Sequence, residues 1–398
     1  MSEWPRIEFA ELLTTPIRSG VNAPSRTRGA GVRLINMGEL FSYDRIGDIK
    51  MERAPIPGDN EDRYLVAEGD LLFARQSLSL EGAGKCSIVV RLVEPTSWEG
   101  HILRARLDPL RAAPAFFYYY FRSRLGRQLM STIVEQVAAA GIRGSDLARL
   151  KVPHPPLDVQ RAIAEVLGAL DDKIESNWRM AFTTEALLDA LAAEIADLPG
   201  SPLSDVTSVV RVPVDPGALG TQLVDHFSLP AFDAARLPDV VAGEAIRSGK
   251  LLIPAPSILV SRLNPGTDRT WLAVPRQGVV SAASTEFLVL EPTGETSLGA
   301  IWLAVRDGLF RSELARRASG TSGSHQRVRP ADALAIEVPD IRRAPGRLIE
   351  EAEELLRLVH NSRTESVTLA DLRDALLPEL LAGRLRVPEA ERVVEAAT

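Results

Sequence analysis

Three segments in the first half of this chain recur in the second half, in the same order and at almost the same spacing. "RGSDLARLKVP" (143–153) lies without a gap over "RPADALAIEVP" (329–339), a shift of 186 that puts Arg143 over Arg329, Asp146 over Asp332 and Pro153 over Pro339. Upstream, "GDLLFAR" (69–75) lies over "PSILVSR" (256–262), and downstream "LLDALAAEI" (187–195) lies over "LRDALLPEL" (372–380), with shifts of 187 and 185. A period this long over a chain of 398 residues signals a tandem duplication, in which each copy is large enough to bury a core of its own.

Each copy opens with short apolar runs separated by turn residues: "YLVAEGDLLFAR" and "KCSIVVRLVE" in the first, "KLLIPAPSILVSR" and "STEFLVLEP" in the second. These read as strands. A helical segment follows, residues 113–136 in the first copy and 297–318 in the second, then a Gly/Ser-rich loop, a short strand ending in proline, and a long helix. In the first long helix Ile163, Val166, Leu167, Leu170 and Ile174 recur at helical spacing, with Asp171, Asp172 and Lys173 turned away; Leu348, Ala352, Leu355, Leu356 and Val359 repeat the stripe in the second. A helix of about 40 residues would be roughly 60 Å long, and the other such helix is the natural cover for its stripe. The expected fold is α+β: two strand-rich domains related by duplication, separated by two long helices in an antiparallel coiled coil that would put the domains at opposite ends. The expected boundaries are 1–156 for the first domain, 157–198 for the first long helix, 199–340 for the second domain and 341–398 for the second long helix with the C-terminal segment.

The net charge of −7 argues against a nucleic-acid partner only until its distribution is examined. Residues 157–197 hold nine acids against three bases, and residues 343–383 eight against five. The acidity sits in the two helices and the remainder carries a small positive excess. With 45% hydrophobic and 25% charged residues the composition is that of a folded protein. No apolar run reaches membrane-spanning length and "MSEWPRIEF" lacks a signal-peptide layout, so a cytoplasmic location is expected. One cysteine, Cys86, and five scattered histidines offer no metal-ligand spacing.

Catalytic patterns are represented only by imitations. "SLEGAGKC" (79–86) has Ser79 where a phosphate loop needs its first glycine and Cys86 where it needs Ser/Thr, so it reads as a turn. "HPPL" (154–157) lacks the leading Asn/Asp and the aromatic of an amino-methyltransferase motif, which leaves His154 a loop residue. The tract "FFYYYF" (116–121) could stack on bases, but at helical spacing in an apolar segment it reads as core. Binding chemistry is better represented. Arg75, Gln76, Ser77 and Lys85 follow the first matched strand, and Arg143 precedes the proline-ending strand; the second copy has Arg262, Asn264 and Arg269, then Ser324, Gln326 and Arg327. Arg and Lys suit guanine or phosphate, Gln and Asn suit adenine, and Gly/Ser loops allow close approach to phosphate. Such loops at matched positions in two diverged copies suit two similar domains reading two different targets.

The run "DLARLKVPHPPLDVQRAIAEVLGALDDKIES" resembles the junction between target-recognition domain and helix in specificity subunits of type I restriction–modification systems. Leu147, Leu150, Val152, Pro153, Pro155, Pro156, Gln160, Ile163, Ala164, Leu167, Leu170, Asp171, Lys173 and Ile174 carry the resemblance. "WPRIEFAEL" (4–12) and "LRDALLPELLAGRLRV" (372–387), with a stop at Gly383, are similar to the family's opening and last helix. The resemblance implies a non-catalytic DNA-specificity subunit in which two target-recognition domains read a bipartite double-stranded site. It also implies helices that pair and dock two methyltransferase subunits, through Gln160, Ile163, Leu167, Leu170, Ile174, Leu348, Leu355, Val359 and Leu376. Restriction subunits could join, and S-adenosylmethionine, ATP and Mg would belong to those partners. The second copy departs from the pattern, with no double proline and with Gly346 where Gln160 aligns. The acidity keeps one other expectation open: a bivalent coiled-coil adaptor that binds proteins.

Overall fold

The computed structural model describes residues 4–58, 63–136, 140–319 and 326–396, and the chain divides into two compact units, Met1–Lys173 with Leu369–Thr398, and Ile174–Thr368. In the first unit Leu71–Ala74 lies at the centre of a five-stranded sheet, between Ile102–Leu107 and Cys86–Val89, with Leu13–Ser19 and Arg45–Ile46 at the edges. A smaller sheet pairs Val32–Ile35 antiparallel with Glu52–Ala54 and parallel with Thr96–Trp98. Arg6–Glu8 pairs with the proline-ending strand Lys151–Pro153, which ties the start of the chain to the foot of the first long helix.

The second unit repeats this plan with changes at the sheet edges: among the described residues its larger sheet has four strands, without a counterpart of Arg45–Ile46. Thr207–Val210, Phe287–Pro292, Ser257–Ser261 and Thr270–Ala273 stand in the order of their counterparts. Gly200–Pro202 pairs with Glu337–Pro339, and Leu223–Phe227 lies parallel to Val280–Ala283 in the smaller sheet. That sheet gains two strands, Pro213–Val214 and Lys250–Leu252, and so, among the described residues, has five strands where the first unit has three. The duplication inferred from three short matches is therefore a duplication of topology, and the two copies differ chiefly in their smaller sheets.

Each expected helical segment is two helices, and 135–136 leaves the first segment as the strand Glu135–Gln136. In the first unit Pro114–Arg122 ends at Ser123, whose side chain accepts from the Gly126 amide to start Arg124–Ser131. A Cβ on Gly126 would lie 1.9 Å from the Tyr120 carbonyl oxygen, so glycine permits the sharp turn. The tract Phe116–Phe121 is buried throughout, and Phe121 stands edge-on to Phe9 and Phe73 at 5.1 Å from each. It is core, as its spacing predicts.

The long helices run Leu157–Glu194 and Gly346–Ala382, the second followed by Val387–Glu395. They pair in antiparallel fashion. In the second unit Asn177 donates to Glu365 at 2.9 Å while Glu185, further along, accepts from Arg363 at 2.8 Å; in the first, Arg373 meets Asp171 at 2.7 Å. Ile163, Leu167, Leu170, Leu348, Val359 and Leu376 are buried, while Ile174 and Leu355 are half-buried. The stripes have a second cover besides the partner helix. Leu348, Ala352, Leu356 and Val359 share one core cluster with Ala300–Val305 of the second unit's helix Leu298–Arg306. Gly383 ends the second long helix with φ of 74°, and a Cβ there would lie 2.9 Å from the Trp4 ring; glycine is required twice over. No helix among the described residues is long and apolar enough to cross a membrane.

Candidate nucleic-acid interface

The matched polar loops are stitched together in each unit by backbone pairing. In the first, Gln76–Ser77 pairs with Ala140–Gly141, which pairs in turn with Glu135–Gln136. The Ile142 amide donates to the Arg75 carbonyl at 2.9 Å. One seam thus brings together Arg75, Gln76, Ser77 and Arg143 from segments more than 60 residues apart. In the second unit Leu263 and Ser319 each bridge to Arg327, and the Asn264 amide donates to the Gln326 carbonyl at 2.9 Å. Arg262, Asn264, Gln326 and Arg327 occupy the equivalent seam; Ser324 lies outside the described residues. Asn264 holds φ of 47°, a left-handed conformation that asparagine tolerates better than most residues.

The candidate side chains differ in what already holds them. Gln76 and Gln326 are exposed, and Arg75 makes a long hydrogen bond, 3.3 Å, to the Ser19 hydroxyl. Arg143 pairs with Glu135 at 2.7 Å, but both side chains are more than half exposed, so exchange for another anion would cost little. Arg327 grips Glu286 through both Nε and Nη2. Arg269 is held more firmly: Nε and Nη2 meet Asp233 at 2.7 and 2.9 Å, and the guanidinium holds the Asp233 carboxyl below the usual carboxylate range. Lys85 donates to the Phe41 carbonyl at 2.6 Å, with Asp44 3.4 Å away. In the second seam the buried Arg262 Nε and Asn264 Oδ1 have no hydrogen-bond partner among the described residues, an expensive arrangement unless something else satisfies them.

Gln160 is fully buried. Its Nε2 donates to the Pro155 carbonyl at 2.8 Å and its Oε1 accepts from the Ala113 amide at 2.9 Å, at the start of helix Pro114–Arg122. Its amide locks the foot of the first long helix to the first unit's own core. The second copy lacks this glutamine, and Glu353 does comparable work two turns further on by accepting from the Gly299 amide at 2.7 Å, at the start of helix Leu298–Arg306. Higher on the first unit's helix pair, Asp171 accepts from the Tyr119 hydroxyl at 2.6 Å and from Arg373 at 2.7 Å. In the second unit Glu185 takes Arg363 and Arg236, and Asp189 takes Arg306 through two bonds of 2.7 Å. The remaining imitations have ordinary roles. Residues 79–85 form a turn before strand Cys86–Val89, and His154 sits in a loop with its Nε2 3.1 Å from the Arg111 carbonyl. Among the described residues no group of three His, Cys, Asp or Glu could hold a metal ion.

Two α+β units of one topology, each with a backbone-stitched polar seam and each locked to a segment of paired helices, define a duplicated recognition scaffold. Residues 58–179 match the family described as Type I restriction modification DNA specificity domain. The chain is 28% identical over 182 residues to the type I restriction enzyme EcoKI specificity subunit of Escherichia coli, an alignment covering 44% of this chain and 38% of that protein. It is 26% identical over 174 residues to the putative type I restriction enzyme MjaX specificity subunit of Methanocaldococcus jannaschii, covering 43% and 40%. Each match thus spans about two fifths of the relative's length. The S subunit structure of a type I restriction–modification system from M. genitalium shares the fold, with a TM-score of 0.62 at 15% identity over 95% of this chain and 96% of that one. Residues 58–179 thus carry the type I restriction–modification DNA specificity domain, and the chain as a whole shares the fold of a solved S subunit.

Proposed function

We propose that the chain is the DNA sequence-specificity subunit of a type I restriction–modification complex, reading a bipartite double-stranded site with one seam on each half. The observation that carries this is the pair of equivalent seams, built from differing residues on one topology: Gln76, Ser77 and Arg143 in one, Asn264, Gln326 and Arg327 in the other. Glutamine and asparagine match the adenine edge, arginine the guanine edge or a phosphate, so related frames with different side chains suit different half-sites. The chain itself is non-catalytic in this proposal. Its paired helices dock two methyltransferase subunits, restriction subunits can join, and S-adenosylmethionine, ATP and Mg belong to those partners; DNA as the target places it in the cytoplasm.

The test is to co-express the chain with methyltransferase subunits and map methylated bases genome-wide. A split motif with a fixed unspecified spacer, present only when both proteins are present, is the expected result. Complex formation without new methylation, and binding to other proteins alone, would turn the assignment to the bivalent adaptor.

A further inference from the structure

On the first unit's larger sheet, strands Leu13–Ser19 and Ile102–Leu107 set Arg18 directly opposite Arg104. Like charges across a rung are destabilising, and this rung is poorly neutralised. Arg104 is almost fully buried. Among the described residues its Nη groups reach only the Leu65 carbonyl at 3.2 Å and the Thr15 hydroxyl at 3.3 Å, and its Nε has no partner. The guanidinium stacks over Trp98, 4.8 Å from the ring centroid. Arg106, two residues on, takes the nearby carboxylate: its Nε and Nη2 each lie 2.7 Å from Asp70. Arg18 is half-buried and, among the described residues, has no hydrogen bond or ion pair. Three guanidiniums thus share one carboxylate. Burial, with Arg106 and Arg18 adding to it, holds the Arg104 pKa below the ordinary arginine value despite Asp70.

The fold does not require this. In the second unit the equivalent rung is Val210 opposite Val289, with Glu291 two residues on, and the sheet is built in the same strand order. A buried guanidinium whose nearest carboxylate is bonded to another arginine is retained at a cost in free energy, so an anion from outside would complete the neutralisation of this rung. Position says which anion. Arg75 of the first seam donates to Ser19, the residue after Arg18, so the rung begins beside the proposed DNA-facing loop.

We propose that Arg18, backed by Arg104, binds a backbone phosphodiester of the DNA on the first unit, a contact for which the second unit has no counterpart. This rests on the DNA reading above and adds to it a sequence-independent anchor on one unit only. Phosphate contacts fix position without reading bases, so the first unit would hold its half-site more by backbone, and the second more by bases.

The experiment uses the full chain with methyltransferase subunits and measures duplex affinity from 50 to 200 mM salt for wild type, Arg18→Ala, and Arg91→Ala as an exposed-cation control. Arg18→Ala should make the slope of log K against log salt shallower by about 0.9, the share of one phosphate. It should weaken cognate and scrambled duplexes by the same factor and leave the methylated motif unchanged. An unchanged slope, a slope change equal to that of Arg91→Ala, or a loss confined to the cognate duplex would overturn the proposal while leaving the DNA assignment standing. Absence of DNA binding by the wild-type complex would overturn both. Inorganic phosphate serves as the second probe: saturable millimolar binding abolished by Arg18→Ala, with DNA affinity unaffected, would make the ligand a free phosphate and overturn the backbone contact.

Discussion

Asp171 is the residue whose removal reports most clearly on how the first unit grips its helices. The carboxylate is 9% exposed and joins three helices: Oδ2 accepts from the Tyr119 hydroxyl at 2.6 Å and Oδ1 from Arg373 at 2.7 Å. Asp171→Ala leaves a buried tyrosine hydroxyl unpaired, a cost of about 1–3 kcal/mol. It also strips a half-buried guanidinium of one of its two carboxylates, since Asp374 remains 2.7 Å away; that loss should fall below the roughly 3–5 kcal/mol of a fully buried pair. Together they predict a destabilisation of about 3 kcal/mol. Two units preclude a single unfolding free energy, so the assay is native-state hydrogen exchange of amides in 114–122 and 157–173. The most protected of these should exchange roughly a hundredfold faster. Tyr119→Phe should cost about 1 kcal/mol, and the double variant should be less destabilised than the sum of the singles by about 1–2 kcal/mol. A change below about 0.5 kcal/mol, or additive single effects, would refute the clamp.

Other expectations follow from the same contacts. Gln160→Leu should destabilise the first unit by about 2–4 kcal/mol, because it orphans the Ala113 amide and the Pro155 carbonyl; exchange protection at 113–122 checks it. Glu353→Gln keeps an acceptor for the Gly299 amide, whereas Glu353→Ala should cost about 1–2 kcal/mol, measured as exchange protection at 298–306. The pKa values of His226 and His360, both in the second unit, are lowered by burial, and further by Lys250 and Arg363 respectively. The unfolded chain therefore binds protons first as pH falls, so their contribution to stability is present above about pH 6.5 and lost below it. Calorimetry at pH 7.5 and 5.5 should show the second unit's transition moving down in acid, and a His226→Gln/His360→Gln double variant should shrink that movement.

What the sequence showed and what it hid have physical causes. The duplication and the apolar stripes were legible because spacing and period survive when identity does not: the proline-ending strands 151–153 and 337–339 and the buried positions of both helices fall where the pattern puts them. The break at Ser123 was legible in principle, since a serine cap followed by Gly126 marks a helix start. The role of Gln160 was not, because its partners lie 5 and 47 residues away. Alternating charge in "ILRARL" normally marks a solvent-facing strand side, yet Arg104 is buried; only the register reveals Arg18 opposite it. Lys85 and Arg269 had the right chemistry for a readout loop, and no local signal disclosed their internal carboxylate partners Asp44 and Asp233.

The most direct test of the two-seam account is methylation-motif mapping with seam variants, made in the full chain and co-expressed with methyltransferase subunits. Gln76→Ala should relax one or more positions in one half of the split motif and Gln326→Ala in the other, each by about 1–3 kcal/mol of discrimination, with the spacer unchanged. Relaxation of both halves by either variant, or an unchanged motif with both, would contradict the claim that each unit reads its own half-site.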